Sequence, residues 1–319
     1  MISNRLNLFH VLVALAVGAP LARAQDATVP DDFATISAAL ANATDANTDG
    51  TLHIRVRSGT YNENVRVSRS SVILEGESAN PPTIQGDGTA HVLHVETLTS
   101  GFLNDVTIKN FKITGGNLRD GVELSRVNLA TIENVEAFGN AEGLHWNRGT
   151  GGSVRLVLGR DNSHSGIKLS GVFDATVANN VGRDNGSNGI DVTASANVVL
   201  ELNDCHHNAD NGLRARRATD LTVRNNLLHD NVSNGARVES VTRLQFTGNT
   251  CDLNQENGIR TRNTFDCLFS LNTLTNNDKY GVRRRDAFGD DWDAVTAGDQ
   301  GPVGDNTFAG NASGEVRND

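Results

Sequence analysis

A chain of 319 residues with 38 acidic and 28 basic side chains carries a net charge of −10. That global deficit of positive charge excludes a basic nucleic-acid-binding domain. Lys109, Lys112, Lys168 and Lys279 are the only lysines; the other basic residues are arginines, so where the arginines fall is informative.

Residues 1–24 read as an export signal. Arg5 lies in a polar start, Val11 to Val17 is apolar, and Ala22-Arg23-Ala24 is a small-x-small cleavage site before Gln25. The apolar run is too short to span a bilayer, and no other stretch is long enough. The expected mature protein is exported (secreted or periplasmic), has no transmembrane segment and is a monomer. Losing Arg5 and Arg23, with no acid removed, takes its charge from −10 to −12.

From Asp31 to Ala43 the apolar spacing is helical, with Phe33, Ile36, Leu40 and Ala43 on one face and Asp31 or Asp32 placed to cap the start. This predicts an N-terminal capping helix and loop over residues 26–50. Asp45-x-Asn47-x-Asp49-Gly50 begins like an EF-hand calcium loop. The twelfth position is Val56 where a bidentate glutamate is required, so an Asx-rich turn is the expectation.

From Leu52 the period changes to two: His53 to Val56, Asn64 to Val67, Val72 to Leu74. Further on, Gly121, Gly143, Gly166, Gly189, Gly212, Gly235, Gly258 and Gly281 recur at 22 or 23 residues, each opening a similar phrase such as Gly-Ile-Lys-Leu-Ser at 166 and Gly-Ile-Asp-Val-Thr at 189. A fixed period of this length means one supersecondary unit stacked on itself. Asparagines mark corners in two rows, Asn140, Asn162, Asn185, Asn208, Asn231, Asn254 and Asn277, and Asn180, Asn203, Asn226, Asn249 and Asn272. A third set, Asn188, Asn211, Asn234 and Asn257, precedes the glycines. Asparagine tolerates the left-handed backbone of a tight corner, and stacked amides bond from coil to coil. Two or three strands per coil with apolar inward positions predict an all-β parallel β-helix of about ten turns over residues 51–285, closed by an irregular C-terminal cap, 286–319, containing Phe288, Trp292, Val303 and Phe308.

Cys205 and Cys251 share a column two turns apart, roughly 9.6 Å at the strand spacing, too far for a disulfide. A Cys251–Cys267 bridge stays open, beside the simpler expectation of three small buried fillers. Trp146 falls at an inward position and reads as core.

The opening Val29-Pro30-Asp31-Asp32-Phe33-Ala34-Thr35-Ile36, then Ser58-Gly59-Thr60-Tyr61-Asn62-Glu63-Asn64-Val65 and Leu74-Glu75-Gly76-Glu77, resembles the first turns of the pectate-lyase-like superfamily of right-handed parallel β-helices. The resemblance covers roughly residues 29 to 310. It implies the fold and permits lysine, arginine and calcium roles in polyuronate chemistry; the superfamily also includes noncatalytic surface proteins. Asp-Pro-His, carried by many alginate epimerases of the superfamily, is missing from this chain.

In each glycine phrase the second and fourth residues should point outward. The second-position column reads Glu123, His145, Lys168, Asp191, Arg214, Arg237, Arg260, Arg283; the fourth includes Asn147, Ser170, Thr193, Arg216, Glu239, Arg262 and Arg285. Stacked arginines with one glutamate among them suit a linear polyanion, whose carboxylates a guanidinium fork takes in two-pronged fashion; a solvated arginine stack offset by nearby acids is the alternative. β-Elimination from a polyuronate requires the substrate carboxylate neutralised and a base for the neighbouring proton. Lys168 or His145 suits the base and Arg214 the neutraliser. Asp191 suits orienting Lys168, or holding calcium with Glu123 and Asn147. A hydrolase requires paired carboxylates roughly 5 to 9.5 Å apart, whereas Glu123 and Asp191 stand three coils apart, about 14 Å. A separate outer column, Asp161, Asp184, His207 and Asp230, reads as turn residues or, less simply, as an Asp161–Asp184 dyad. The leading expectation is an exported protein that binds and cleaves an acidic polysaccharide such as pectate or alginate. A noncatalytic cell-surface or periplasmic glycan-binding module is the alternative, and an inert spacer the third reading.

Overall fold

The computed structural model describes residues 25–288 and 305–319. The export-signal reading of residues 1–24, and Trp292 and Val303 of the expected cap, lie outside the described residues.

The described chain winds into a parallel β-helix whose coils visit three sheets in turn. The first sheet begins at Ala27–Val29, Leu52–Val56 and Val72–Gly76. The second begins at Thr60–Asn62 and Thr83–Gln85. The third, here the glycine sheet, begins at Val65–Val67 and Leu93–Glu96. Every pairing is parallel, and the glycine sheet is eleven strands deep. Because the register is constant, an inward residue always stacks on an inward residue: Ile167 on Ile190, Leu213, Ala236, Ile259 and Val282. These residues are fully buried, each contributing on the order of 1.5–3 kcal/mol for the larger aliphatics. Trp146 is buried as expected, its Nε1–H donating to Val127 O at 3.0 Å.

The asparagines form the predicted ladders. From Asn185 to Asn277 in the first row, each side-chain oxygen accepts from the backbone N–H and the side-chain amide of the asparagine one coil earlier, as Asn208 Oδ1 does from Asn185 at 3.2 and 3.0 Å. The second amide hydrogen reaches a backbone carbonyl, as from Asn208 to Gly182 at 2.9 Å. The pre-glycine asparagines bond in the opposite sense: the amides of Asn211, Asn234 and Asn257 each donate to the side-chain oxygen of the asparagine one coil earlier. One detail differs from expectation. The left-handed residue at each corner is the one before the ladder asparagine, not the asparagine itself. Asp161, Asp184, His207 and Asp230 have φ of 53° to 55°, so this outer column consists of turn residues.

The helix is shorter than predicted, Ile36–Asn42, and its N-cap is Thr35, whose hydroxyl accepts from Ala38 N at 3.0 Å. Neither Asp31 nor Asp32 caps it: Asp32 accepts from Thr28 N and Asp31 from the Arg57 guanidinium. Instead the Glu63 carboxylate, from the first coil, accepts from Ile36 N and Ser37 N, placing negative charge at the helix start. Asp45, Asn47 and Asp49 accept backbone N–H bonds from their own loop, the Asx-turn arrangement.

At the other end, the region expected as an irregular cap holds a further coil. Thr307–Ala309 joins the second sheet and Gly314–Asn318 the glycine sheet. Asn306 and Asn311 extend the two corner ladders through Asn272 and Asn277. The three cysteines are buried thiols with no disulfide among them, which rules out the Cys251–Cys267 bridge.

The glycine rows are fixed by close approach. A Cβ on Gly212 would stand 2.8 Å from Gly235 O and 2.9 Å from the Asn231 amide. Gly212→Ala is expected to cost about 1–3 kcal/mol through overpacking, lowering the thermal midpoint followed by circular dichroism; an unchanged midpoint would show that the coils give way freely.

Candidate functional site

The outward column of the glycine sheet is a true spatial row. Pairing runs His94, Glu123, His145, Lys168, Asp191, Arg214, Arg237, Arg260, Arg283 and Arg317 on successive strands. The fourth-position row runs beside it, through Ser170, Thr193, Arg216, Glu239, Arg262 and Arg285.

The contacts within the row differ from the sequence expectation. Lys168 and Asp191 are register neighbours, yet the lysine Nζ bonds Glu142 Oε1 at 2.9 Å. Glu142 is buried, and its other oxygen accepts from Ser165 N at 2.6 Å. Burial opposes the Lys168 ammonium, but the Glu142 bond and the nearby Asp191 and Asp120 charges outweigh it and hold the lysine above its ordinary value. Asp191 is 6 % exposed; burial raises its carboxyl against the opposing pull of Arg214, 3.8 Å away, and of Lys168. His145 Nδ1 faces Glu123 Oε2 at 2.9 Å and Asp120 Oδ2 at 3.4 Å. Burial opposes its charge, yet those carboxylates raise it to about 9, so it is an imidazolium near neutrality. A cleft of about 370 Å³ opens over Lys168, Asp191, Arg214 and Arg216.

Glu123 and Asp191 cannot share a calcium ion. They lie three strands apart, about 14 Å at the sheet spacing, with His145 and Lys168 between them.

Sequence reasoning missed Asp120 and Glu142. Both occupy the pre-glycine column, which runs Asp120, Glu142, Ser165 before it settles into Asn188, Asn211, Asn234 and Asn257. The signal was the replacement of asparagine by acids in the coils that carry Glu123 and His145, one coil before the His145 and Lys168 that these acids meet.

The arginine half is partly compensated. Arg237 meets Glu239 at 2.7 Å, Arg283 meets Asp319 at 2.6 Å, and Arg285 lies 3.5 Å from Asp286. Arg216, Arg260 and Arg262 have no ion-pair partner among the described residues. Burial and the adjacent Arg237 and Arg283 charges depress Arg260. The Nε atoms of Arg214, Arg216 and Arg237 are buried without a hydrogen-bond acceptor.

A family model described as a right-handed β-helix region matches residues 98–274, more than half of the chain, and the protein belongs to that family. Its architecture is that of the pectate-lyase-like right-handed parallel β-helix superfamily. No curated protein matches the sequence. Among solved structures, the A-module of mannuronan C-5 epimerase AlgE4 from Azotobacter vinelandii aligns over 92% of this chain and 96% of its own, with a TM-score of 0.66 and 18% identity. A mutant of the periplasmic alginate epimerase AlgG aligns over 84% and 76%, with a TM-score of 0.54 and 14% identity. The Dettilon tailspike protein aligns over 81% and 62%, with a TM-score of 0.53 and 16% identity. At such identities the likeness concerns the fold. No helix among the described residues is long and apolar enough to cross a membrane.

Proposed function

We propose that this protein is exported, binds a linear polyuronate lengthwise on the glycine sheet, and cleaves it by β-elimination in the cleft over Lys168 and Arg214. The observation that carries the reading is the in-register arginine row, in which Arg260 is depressed by burial and by the flanking Arg237 and Arg283 charges and has no ion-pair partner among the described residues. Like charges one strand apart repel, and a polyanion relieves that repulsion. The coil rise, ~4.8 Å, is close to the length of one sugar in an extended chain, so successive carboxylates meet successive arginines. Mannuronan and alginate, named for two structural neighbours, are polyuronates.

In the cleft, Arg214 neutralises the substrate carboxylate and so acidifies the carbon beside it. Lys168, once neutral, takes that proton; the C–H electron pair forms the double bond, the C–O bond breaks, and the leaving glycosidic oxygen takes a proton from water. Glu142 keeps Lys168 charged near neutrality, so the rate should climb with pH through the alkaline range. Glu142→Gln removes the carboxylate that favours the ammonium, and its profile should move to lower pH. Lys168→Ala and Arg214→Ala should each abolish the ultraviolet absorbance of unsaturated uronate. No such product from pectate or alginate at any pH, with calcium present, eliminates the lyase reading.

The same Glu142–Lys168 bond favours a second reading, a noncatalytic glycan-binding module in which Lys168 stays a permanent cation. Salt-sensitive retention on an anionic glycan without product identifies it.

A further inference from the structure

We infer that Ser170, His145 and Glu123 act as nucleophile, general base and orienting carboxylate, and that the protein hydrolyses a small carboxylic ester in the cleft beside Lys168. The acyl-transfer chemistry stands without the glycan reading. Only the carrier of the ester, an O-acetyl group on an acidic glycan, rests on that reading.

The three side chains come from successive strands of the glycine sheet. Glu123 pairs with His145, and His145 with Lys168, two residues before Ser170. His145 Nε2 lies 3.2 Å from Ser170 Oγ, within reach of a nucleophile–base hydrogen bond. The other ring nitrogen, Nδ1, lies 2.9 Å from Glu123 Oε2 and 3.4 Å from Asp120 Oδ2. Carboxylates on that side hold the proton on Nδ1. The neutral ring then presents its Nε2 lone pair to the serine hydroxyl. Glu123 is 5 % exposed and is anchored by Ser125 Oγ, which donates to its Oε1 at 2.9 Å. Its Oε2 has no aligned donor in the free protein, and catalytic hydrogen bonds of this kind tighten in the complex.

The serine is on the open side. Ser170 is half-buried and lines the cleft together with Lys168, Arg214 and Arg216. Their positive charge favours an oxygen that becomes anionic there. Ser170 Oγ adds to the ester carbonyl carbon as its proton passes to His145 Nε2, and the carbonyl π pair moves onto oxygen. That pair returns, the bond to the alcohol oxygen breaks, and the alcohol leaves with the proton from Nε2. Water then adds to the acyl-serine and gives a proton to Nε2. Collapse breaks the bond to Ser170, releases the carboxylic acid and returns the proton to Oγ. Burial opposes the His145 charge, but Asp120 and Glu123 raise the ring to about 9, against the Lys168 charge. The neutral ring is the active form, so the rate should rise from neutrality to about pH 9.

The test uses p-nitrophenyl acetate, followed by nitrophenolate absorbance, and a fluorophosphonate label located by peptide mass spectrometry. The unmutated protein should carry the label on Ser170, a readout that requires no variant to fold. Ser170→Ala and His145→Gln should lower turnover at least ~10³-fold, with circular dichroism spectra like that of the wild type. Glu123 is a positioning residue. Glu123→Gln should lower kcat and move the pH profile to lower pH, since one of the carboxylates that favour the imidazolium is gone; a merely structural change would leave the profile in place. Label absent from Ser170, hydrolysis unchanged in Ser170→Ala, or an unmoved Glu123→Gln profile would each overturn the triad. Hydrolysis of p-nitrophenyl acetate without acetate release from O-acetylated alginate would keep the triad and overturn the glycan ester as its substrate. Ester hydrolysis without unsaturated uronate would support the triad and remove only the elimination assigned to Lys168.

Discussion

Asn208→Leu is expected to destabilise the β-helix by about 3–9 kcal/mol, because three buried polar groups lose their partners at about 1–3 kcal/mol each. Asn208 is fully buried. Its Oδ1 accepts from Asn185 N and Asn185 Nδ2, and its own amide donates to Gly182 O and to Asn231 Oδ1. Leucine keeps the branching of the side chain but puts bulkier methyl groups in place of the amide oxygen and nitrogen, so overpacking adds to the lost hydrogen bonds. The Asn185 N–H, one Asn185 amide hydrogen and the Gly182 carbonyl would then be buried unpaired. Contacts in a solenoid run only to adjacent coils, so a break in the middle of the ladder uncouples the two halves. Thermal and denaturant unfolding should both shift strongly, whereas His207→Ala, at the neighbouring exposed corner, should shift them little. An Asn208→Leu midpoint close to the wild type would mean that the amide row contributes only geometry.

That ladder also shows why the fold was legible and part of the site was not. A period of 22 or 23 residues with glycine and asparagine at fixed places has few physical solutions, since each residue type answers a local demand. Gly212 avoids a backbone carbonyl of the next coil, and Asn208 satisfies groups in two coils. The outward register followed directly, because side chains alternate and strands pair without slipping, so Lys168, Asp191 and Arg214 do lie on adjacent strands. What the register does not give is the partner of a long side chain. Lys168 turns from Asp191, its neighbour in the row, to Glu142 beside it. The choice depends on lateral distances between columns, and the repeat specifies only the axial ones. The helix boundary failed for a related reason: Glu63, 26 and 27 residues away in sequence, supplies the charge that aspartate next to the helix was expected to supply. The last coil was hidden because Asn306 and Asn311 arrive 34 residues after Asn272 and Asn277, outside the period.

Arg237→Glu with Arg260→Glu is expected to weaken binding of pectate or alginate by about 100-fold or more. A hydrogen bond to a charged group contributes roughly 1.5–3 kcal/mol, so two lost carboxylate contacts amount to about 3 kcal/mol, or two decades in affinity. Reversal, rather than removal, adds repulsion from two new carboxylates. It also removes a conflict in the free protein, where Arg260 stands between Arg237 and Arg283. The reversal also breaks the Arg237–Glu239 pair and sets two carboxylates one strand apart, so the unliganded variant must show the wild-type circular dichroism spectrum before lost binding is assigned to the row. Arg237→Lys with Arg260→Lys keeps the charge but not the planar fork, and should fall between the two. Wild-type affinity should decline as salt rises, since the row is partly exposed and screened. The measurement is retention on immobilised polyuronate, with calorimetry for the soluble polymer. Equal binding by wild type and the double glutamate variant would remove the arginine row from recognition, and with it the alignment of sugars along the coils. Loss of binding with elimination intact on short oligomers would separate the row, as a track for the polymer, from the cleft where Lys168 acts.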